Sequence, residues 1–127
     1  MAYTAETFAN FWERPELPAH SEDLHDDVIG YWPGSDEPVR GRDEYVGAVK
    51  ELLARVPDLT LQVVESAQDG EYLFIRWIAH AMGAGGPIEH SGVDRIRIVD
   101  GKVVENRIFF DRAEFERKLG ISLDVTA

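Results

Sequence analysis

The sequence predicts an α+β domain: N-terminal helices packed into the concave face of a strongly curved antiparallel β-meander. Three observations predict it. The first half reads as helical, with apolar residues at helical spacing. From Leu59 onward, turn signals divide the chain into four long segments of sheet character. The 127 residues read as one domain, 1–127, long enough to bury roughly two-thirds of the unfolded surface.

Each element has a local reason. Phe8, Phe11 and Trp12 recur at helical spacing over residues 4–13, with Thr4 as N-cap and Glu6 in the first turn. Pro15 and Pro18 break that helix, and a short second one is expected over 18–25. Asp27–Gly34 reads as a short strand ended by Pro33 and Gly34. A helix starts near Asp43 and runs to about Arg55, with Val46, Val49, Leu53 and Val56 as its apolar stripe and Pro57 as its stop. Four strands follow, at about 59–68, 71–82, 88–99 and 102–110. Asp69-Gly70 and Asp100-Gly101 suit two-residue hairpin turns, and Gly83–Pro87 a longer loop. A last helix is capped by Asp111 with Glu114 and stopped by Gly120.

Composition narrows the function. Hydrophobic residues make up 44% and charged residues 29%, a soluble globular balance. Thirteen Lys and Arg against 24 Asp and Glu give a net charge of −11. Nucleic acid and anionic membrane surfaces need a basic footprint, so neither is expected as a partner. The chain has no cysteine, which excludes disulfides and thiol chemistry. No apolar run approaches the roughly 18 residues of a membrane span, and Met1–Asn10 does not read as a signal peptide. A soluble cytoplasmic protein is expected.

The turns also predict a register, and register decides which side chains meet. Centring the second turn on residue 85 sets Arg76 opposite Asp94, Ile78 opposite Gly92 and His80 opposite His90. Centring the last between Asp100 and Gly101 sets Asp94 opposite Arg107, Gly92 opposite Phe109 and His90 opposite Asp111. The Asp69-Gly70 turn sets Phe74 opposite Glu65 and Arg76 opposite Val63. Alternation then puts Arg76, His80, His90, Asp94, Arg107 and Asp111 on one face, among Tyr72, Phe74, Ile78, Ile96 and Phe109. Val64, Ile75, Trp77, Val93, Ile108, Phe110 and Asn106 fall on the other.

Polar groups converging in an apolar hollow describe a small-molecule pocket. Asp94 is the central candidate, as carboxylate base or as ion-pair anchor. Two flanking arginines would lower its pKa, and burial would raise it. His80 and His90 could shuttle protons near neutral pH. With Asp111 they supply the residue types of a facial triad, but no local motif supports a metal and none is expected. Capping alone explains Asp111 equally well. Tyr31, Trp32 and Tyr72 are candidates for the pocket wall, with Trp12, Phe74, His80 and Phe109. His20 and His25 read as surface residues. The "GAGG" loop lacks the lysine of a phosphate-binding loop, and Ser66 and Ser91 lack a nucleophile elbow.

Two stretches carry a family likeness: "DDVIGYWPGSDEPVRGRDEYVGAVKELLARVPDL" and the closing hairpin "HSGVDRIRIVDGKVVENRIFFD". Over residues 5–117 the chain resembles the nuclear transport factor 2-like superfamily, within it the SnoaL-like polyketide cyclase and ketosteroid isomerase branch. The resemblance implies a cone-shaped α+β fold with an internal pocket, commonly a homodimer. It implies cofactor-free chemistry on small cyclic or polyketide-like molecules, though some members only bind or scaffold. Asp94 in "GVDRIRI" matches the aspartate that, in ketosteroid isomerases, donates a hydrogen bond while protonated. Trp32 stands where those isomerases carry their base, which argues against steroid isomerisation. SnoaL-like cyclases use a carboxylate deep in the cone, for which Asp94 or Asp111 would serve. Related epoxide hydrolases use an aspartate–arginine–aspartate network, whose residue types Asp94, Arg76 or Arg107, and Asp111 supply.

The expectation is a cofactor-independent acid–base enzyme for a small apolar carbonyl or enol compound. Its machinery would be Asp94, His90, Arg76, Arg107 and Asp111. The alternative is a ligand-binding or dimeric module without catalysis. A homodimer is expected through the outer sheet face, with Trp77, Ile108 and Phe110 exposed on the monomer.

Overall fold

The computed structural model describes residues 2–15 and 21–123. Its elements are α1 (Ala5–Glu13), β1 (Leu24–Tyr31), β2 (Val39–Arg40), α2 (Arg42–Arg55), β3 (Thr60–Asp69), β4 (Tyr72–Gly83), β5 (Gly86–Val99), β6 (Lys102–Phe109) and α3 (Arg112–Leu119). The sheet runs β2-β1-β6-β5-β4-β3. All neighbours are antiparallel except β1 and β6, which run parallel. Three helices against a six-stranded mixed sheet make the α+β class expected.

Local chemistry places the elements. The Thr4 hydroxyl accepts from the Thr7 amide, and the Thr7 hydroxyl from the Thr4 amide, so a threonine pair caps α1. Gly41 precedes α2 at φ 91°, a backbone state that favours glycine. The Asp111 carboxylate caps α3, and Gly120 ends it left-handed. Phe8, Val49, Val56 and Phe115 are buried, with Val28, Leu73, Ile75 and Ile96 beneath them.

Two local expectations change. Of the helix expected over 18–25, residues 18–20 lie outside the described residues, as does His20. Ser21–Asp23 forms one 3-10 turn, and Leu24 and His25 already belong to β1. Leu24 pairs with Val103 in parallel β6, a distant contact that no local pattern announces. Strand β2, two residues long, is too short to show a period.

The larger correction is register. Ala84-Gly85 forms a tight turn that pairs Gly83 with Gly86, so the second turn is centred half a residue earlier than expected. Ile75 therefore lies opposite Asp94, and Ala79 opposite His90. The Asp100-Gly101 turn is as expected, at φ 53° and 79°, with Val99 opposite Lys102. A bulge between Arg97 and Ile98 then shifts the pairing, leaving Asp94 opposite Ile108, Val93 opposite Phe109 and Arg95 opposite Arg107. The first hairpin turns at Gly70-Glu71, setting Arg76 opposite Glu65 and Phe74 opposite Ala67.

A one-residue slip exchanges the faces of a strand. β5 keeps its expected faces, whereas β4 and most of β6 are reversed. The buried face carries Leu73, Ile75, Trp77, Ala79, His90, Asp94, Ile96, Asn106 and Ile108. The outer face carries Phe74, Arg76, His80, Arg95, Arg107 and Phe109.

Gly92 shows how tightly the buried face is packed. A Cβ there would lie 2.4 Å from two carbons of the Trp77 ring. Overpacking of this kind costs about 1–3 kcal/mol. Gly92→Ala is expected to lower the urea midpoint accordingly. Gly85→Ala, with no atom within 4 Å of a new Cβ, should stay within about 0.5 kcal/mol of the parent.

Candidate active site

Asp94 sits at mid-sheet, 5% exposed. The Trp77 indole donates to its Oδ1 at 2.8 Å, and the Asn106 amide donates to its Oδ2 at 3.0 Å. The same amide nitrogen donates to the Tyr45 hydroxyl at 2.9 Å. Both carboxylate partners are neutral. The expected arginines are elsewhere: Arg76 pairs with Glu65 at 2.7 Å on the outer face, and the Arg107 guanidinium lies 3.9 Å over the Tyr31 ring. Burial therefore dominates. It raises the Asp94 pKa from 3.8 to about 6, against the lowering effect of the Asn106 and Trp77 bonds. Burial likewise pushes the Tyr3 and Tyr45 phenols above their ordinary range.

Two cavities meet at this carboxylate, of about 70 and 80 Å³. Each has room for several waters, since one needs roughly 10–15 Å³. Both are walled by Trp12, Trp32, Asp94 and Ile108. The first adds Leu52, Leu59, Leu61, Trp77, Phe110, Phe115 and Arg112, and the second Tyr3, Thr7, Phe8, Phe11, Tyr45 and Asn106. Two buried polar atoms of these walls, Trp32 Nε1 and Asn106 Oδ1, have no hydrogen-bond partner. A buried unpaired polar group costs about 1–3 kcal/mol, so a ligand offering an acceptor to one and a donor to the other would relieve it.

His90 is buried, but both its nitrogens are occupied. Nε2 lies 3.0 Å from the Asp111 carbonyl, which can only accept, so Nε2 carries the proton. Nδ1 lies 3.2 Å from the Lys118 ammonium and accepts from it. The ring stacks on Phe115 at 4.8 Å. Burial, then the charge of Lys118, lowers its pKa. His90 is therefore a neutral clamp between β5 and α3 and walls neither cavity, so the geometry behind its expected shuttle role is not present. Asp111 caps α3 through Oδ1, 3.0 Å from the Glu114 amide.

The expected pocket residues divide the same way. Trp12 and Trp32 line the cavities with Asp94. Tyr72 lies under the Arg95 guanidinium, His80 bonds Gln62 at 3.0 Å, and Phe74 and Phe109 are 37% and 51% exposed. These four are absent from both walls because β4 and β6 present their other sides, and so is Tyr31 of β1, which lies under the Arg107 guanidinium. His80 and His90 point to opposite faces. Among the described residues no group of three or more His, Cys, Asp or Glu could hold a metal ion. Nor is any helix there long and apolar enough to cross a membrane.

The sequence reading missed Trp77 and Asn106, placed on the wrong face, and Tyr45, one position before the α2 stripe. It also missed Arg112, for which spacing offers no signal.

The SnoaL-like polyketide cyclase family matches residues 2–119. No curated protein matches the chain in sequence. Solved structures share the fold. IdmH, a candidate polyketide cyclase from Streptomyces antibioticus, is 24% identical, with 92% of this chain and 98% of that one covered and a TM-score of 0.77. A Catenulispora acidiphila protein with a ketosteroid isomerase-like fold, solved with trimethylamine, is 14% identical over 97% and 96% of the two chains, at 0.81. An NTF2-like protein of unknown function from Burkholderia pseudomallei is 20% identical over 91% and 93%, at 0.79.

The raised Asp94 pKa makes a prediction about stability. The folded state holds this proton more tightly than the unfolded chain. The resulting stabilisation is full below about pH 3.8 and is lost as pH rises through about 6. At 1.36 kcal/mol per unit the loss is about 3 kcal/mol. Asp94→Asn has no such proton to lose, and the unpaired Asn106 Oδ1 can turn to accept from the new amide. Urea unfolding from pH 4 to 7.5 should show the variant gaining about 2 kcal/mol on the parent as pH rises, the part of the stabilisation still present at pH 4. A constant difference would contradict the burial argument.

Proposed function

Because this chain belongs to the SnoaL-like polyketide cyclase family, we propose that it is a cytoplasmic, cofactor-independent enzyme that moves a proton on a small, mostly apolar carbonyl or enol compound. The carrying observation is Asp94, a buried carboxylate between two apolar cavities, held by neutral donors alone. A pKa of about 6 leaves roughly nine in ten of these groups ionised at pH 7. The side chain is thus a base poised near neutrality. It takes a proton from the carbon beside a carbonyl, forming the enolate, and returns it as the acid at the product carbon. Trp77 and Asn106 hold the carboxylate in place. The Tyr45 hydroxyl, which accepts from Asn106 and lines the second cavity, can turn its own hydrogen to the substrate oxygen as charge develops there. Trp32, where steroid isomerases carry their base, leaves Asp94 as the proton acceptor.

Binding without catalysis is favoured by one fact: both Asp94 oxygens already accept a hydrogen bond. Exchange separates the readings. Small cyclic diketones and aryl ketones are incubated in D2O and followed by proton NMR. The enzyme reading expects catalysed exchange that rises with pH through about 6 and falls about 10²–10⁴-fold in Asp94→Asn. Compounds that bind but do not exchange would support the binding module.

We also propose that a second copy packs on the outer sheet face. Trp77, Ile108 and Phe110 line the first cavity instead, so they are not the exposed residues expected there. Phe74 and Phe109 are exposed in their place, among the Arg76–Glu65, Arg95–Glu105 and Arg97–Glu71 pairs. Sedimentation velocity at micromolar concentration should show a dimer that Phe109→Glu converts to monomer. A monomeric parent would contradict this.

A further inference from the structure

We infer that the substrate is a carboxylic acid, its carboxylate held by Arg112 in the wall of the first cavity while its carbonyl meets Asp94. This rests on the acid–base reading of Asp94 and adds the class of molecule.

Arg112, the first residue of α3, is the one Lys or Arg in the walls of either cavity among the described residues. Every other group lining the first cavity is uncharged except Asp94. The guanidinium is held from two sides: Nε donates to Glu116 at 3.3 Å, and Nη1 to the Pro33 carbonyl at 3.1 Å. It has N–H groups beyond those two bonds. The Glu116 oxygen it meets also accepts from the Leu123 amide at 2.6 Å, so its charge is shared. The Pro33 carbonyl supplies no charge at all. A planar, always-charged fork in an apolar wall suits a carboxylate better than any neutral group.

The turn after β1 is shaped to admit it. Gly34 has φ +80°, and a Cβ there would lie 2.9 Å from Arg112 Cδ. A side chain at position 34 would displace the arginine stem from its course along the cavity. The attraction for an acid has to be local. At −11 the protein as a whole repels anions, so the positive charge of Arg112 beside the apolar hollow is what would draw a carboxylate in. A latch between α3 and the β1 turn accounts for the Pro33 bond, and an i,i+4 pair within α3 for the Glu116 bond, but neither gives a reason for Arg112 to wall the cavity. Trp12, Trp32 and Leu52 would hold the apolar body of the acid.

Isothermal titration with benzoate and its neutral isostere benzamide tests this. The parent is expected to bind benzoate about tenfold or more tightly than benzamide. Arg112→Gln should abolish that preference while leaving benzamide binding within about twofold. A latch role alone would weaken both probes together. Should Arg112→Gln fail to fold, Arg112→Met keeps the straight stem beside Gly34 and replaces it. A parent without the preference overturns the proposal, as does a preference that survives the loss of the guanidinium. Asp94→Asn should keep the benzoate preference while losing proton exchange, so failure of the anchor and failure of the acid–base reading appear in different assays.

Discussion

The site depends on a carboxylate withdrawn from water without a cation beside it. Trp77 and Asn106 satisfy Asp94 by hydrogen bonding but bring no charge to offset its own. An arginine in either place would have made an ion pair, locked in one protonation state across the useful pH range. Neutral donors leave the proton exchangeable near neutrality. The rest of the buried face serves that arrangement. Gly92 leaves room for the Trp77 ring against β5, and the phenol of Tyr45 on α2 meets the same amide that holds Asp94.

Much of the fold was legible in local chemistry. The Thr4 and Asp111 caps, the Pro57 and Gly120 stops and the Asp100-Gly101 turn follow from steric and hydrogen-bonding preferences acting within a few residues. The pairing of Leu24 with Val103 and the two-residue β2 were not, because they depend on chain brought from far away.

Register lies between these cases, and the candidate site turns on it. The position of Asp94 on the buried face was legible, since β5 alternates cleanly. Its neighbours were not. Half a residue at the Ala84-Gly85 turn and one bulge between Arg97 and Ile98 exchange Arg76 for Trp77 and Arg107 for Asn106 and Ile108. Alternation in β4 is ambiguous because both sets contain apolar residues: Phe74 and Ile78 against Ile75 and Trp77. The buried charges on the rejected side decide it physically. Arg76 and His80 inside would need partners, whereas outside they meet Glu65, Gln62 and Glu89.

A carbon-13 NMR titration of the labelled aspartate carboxyls reads the protonation of Asp94 itself. The Asp94 resonance, identified by its loss in Asp94→Asn, should titrate with an apparent pKa near 6. It should move higher in Asn106→Ala, which removes a hydrogen bond that favours the anion. A midpoint at or below the ordinary 3.8 would mean that water or a cation reaches this carboxylate, and the account of the site would fail.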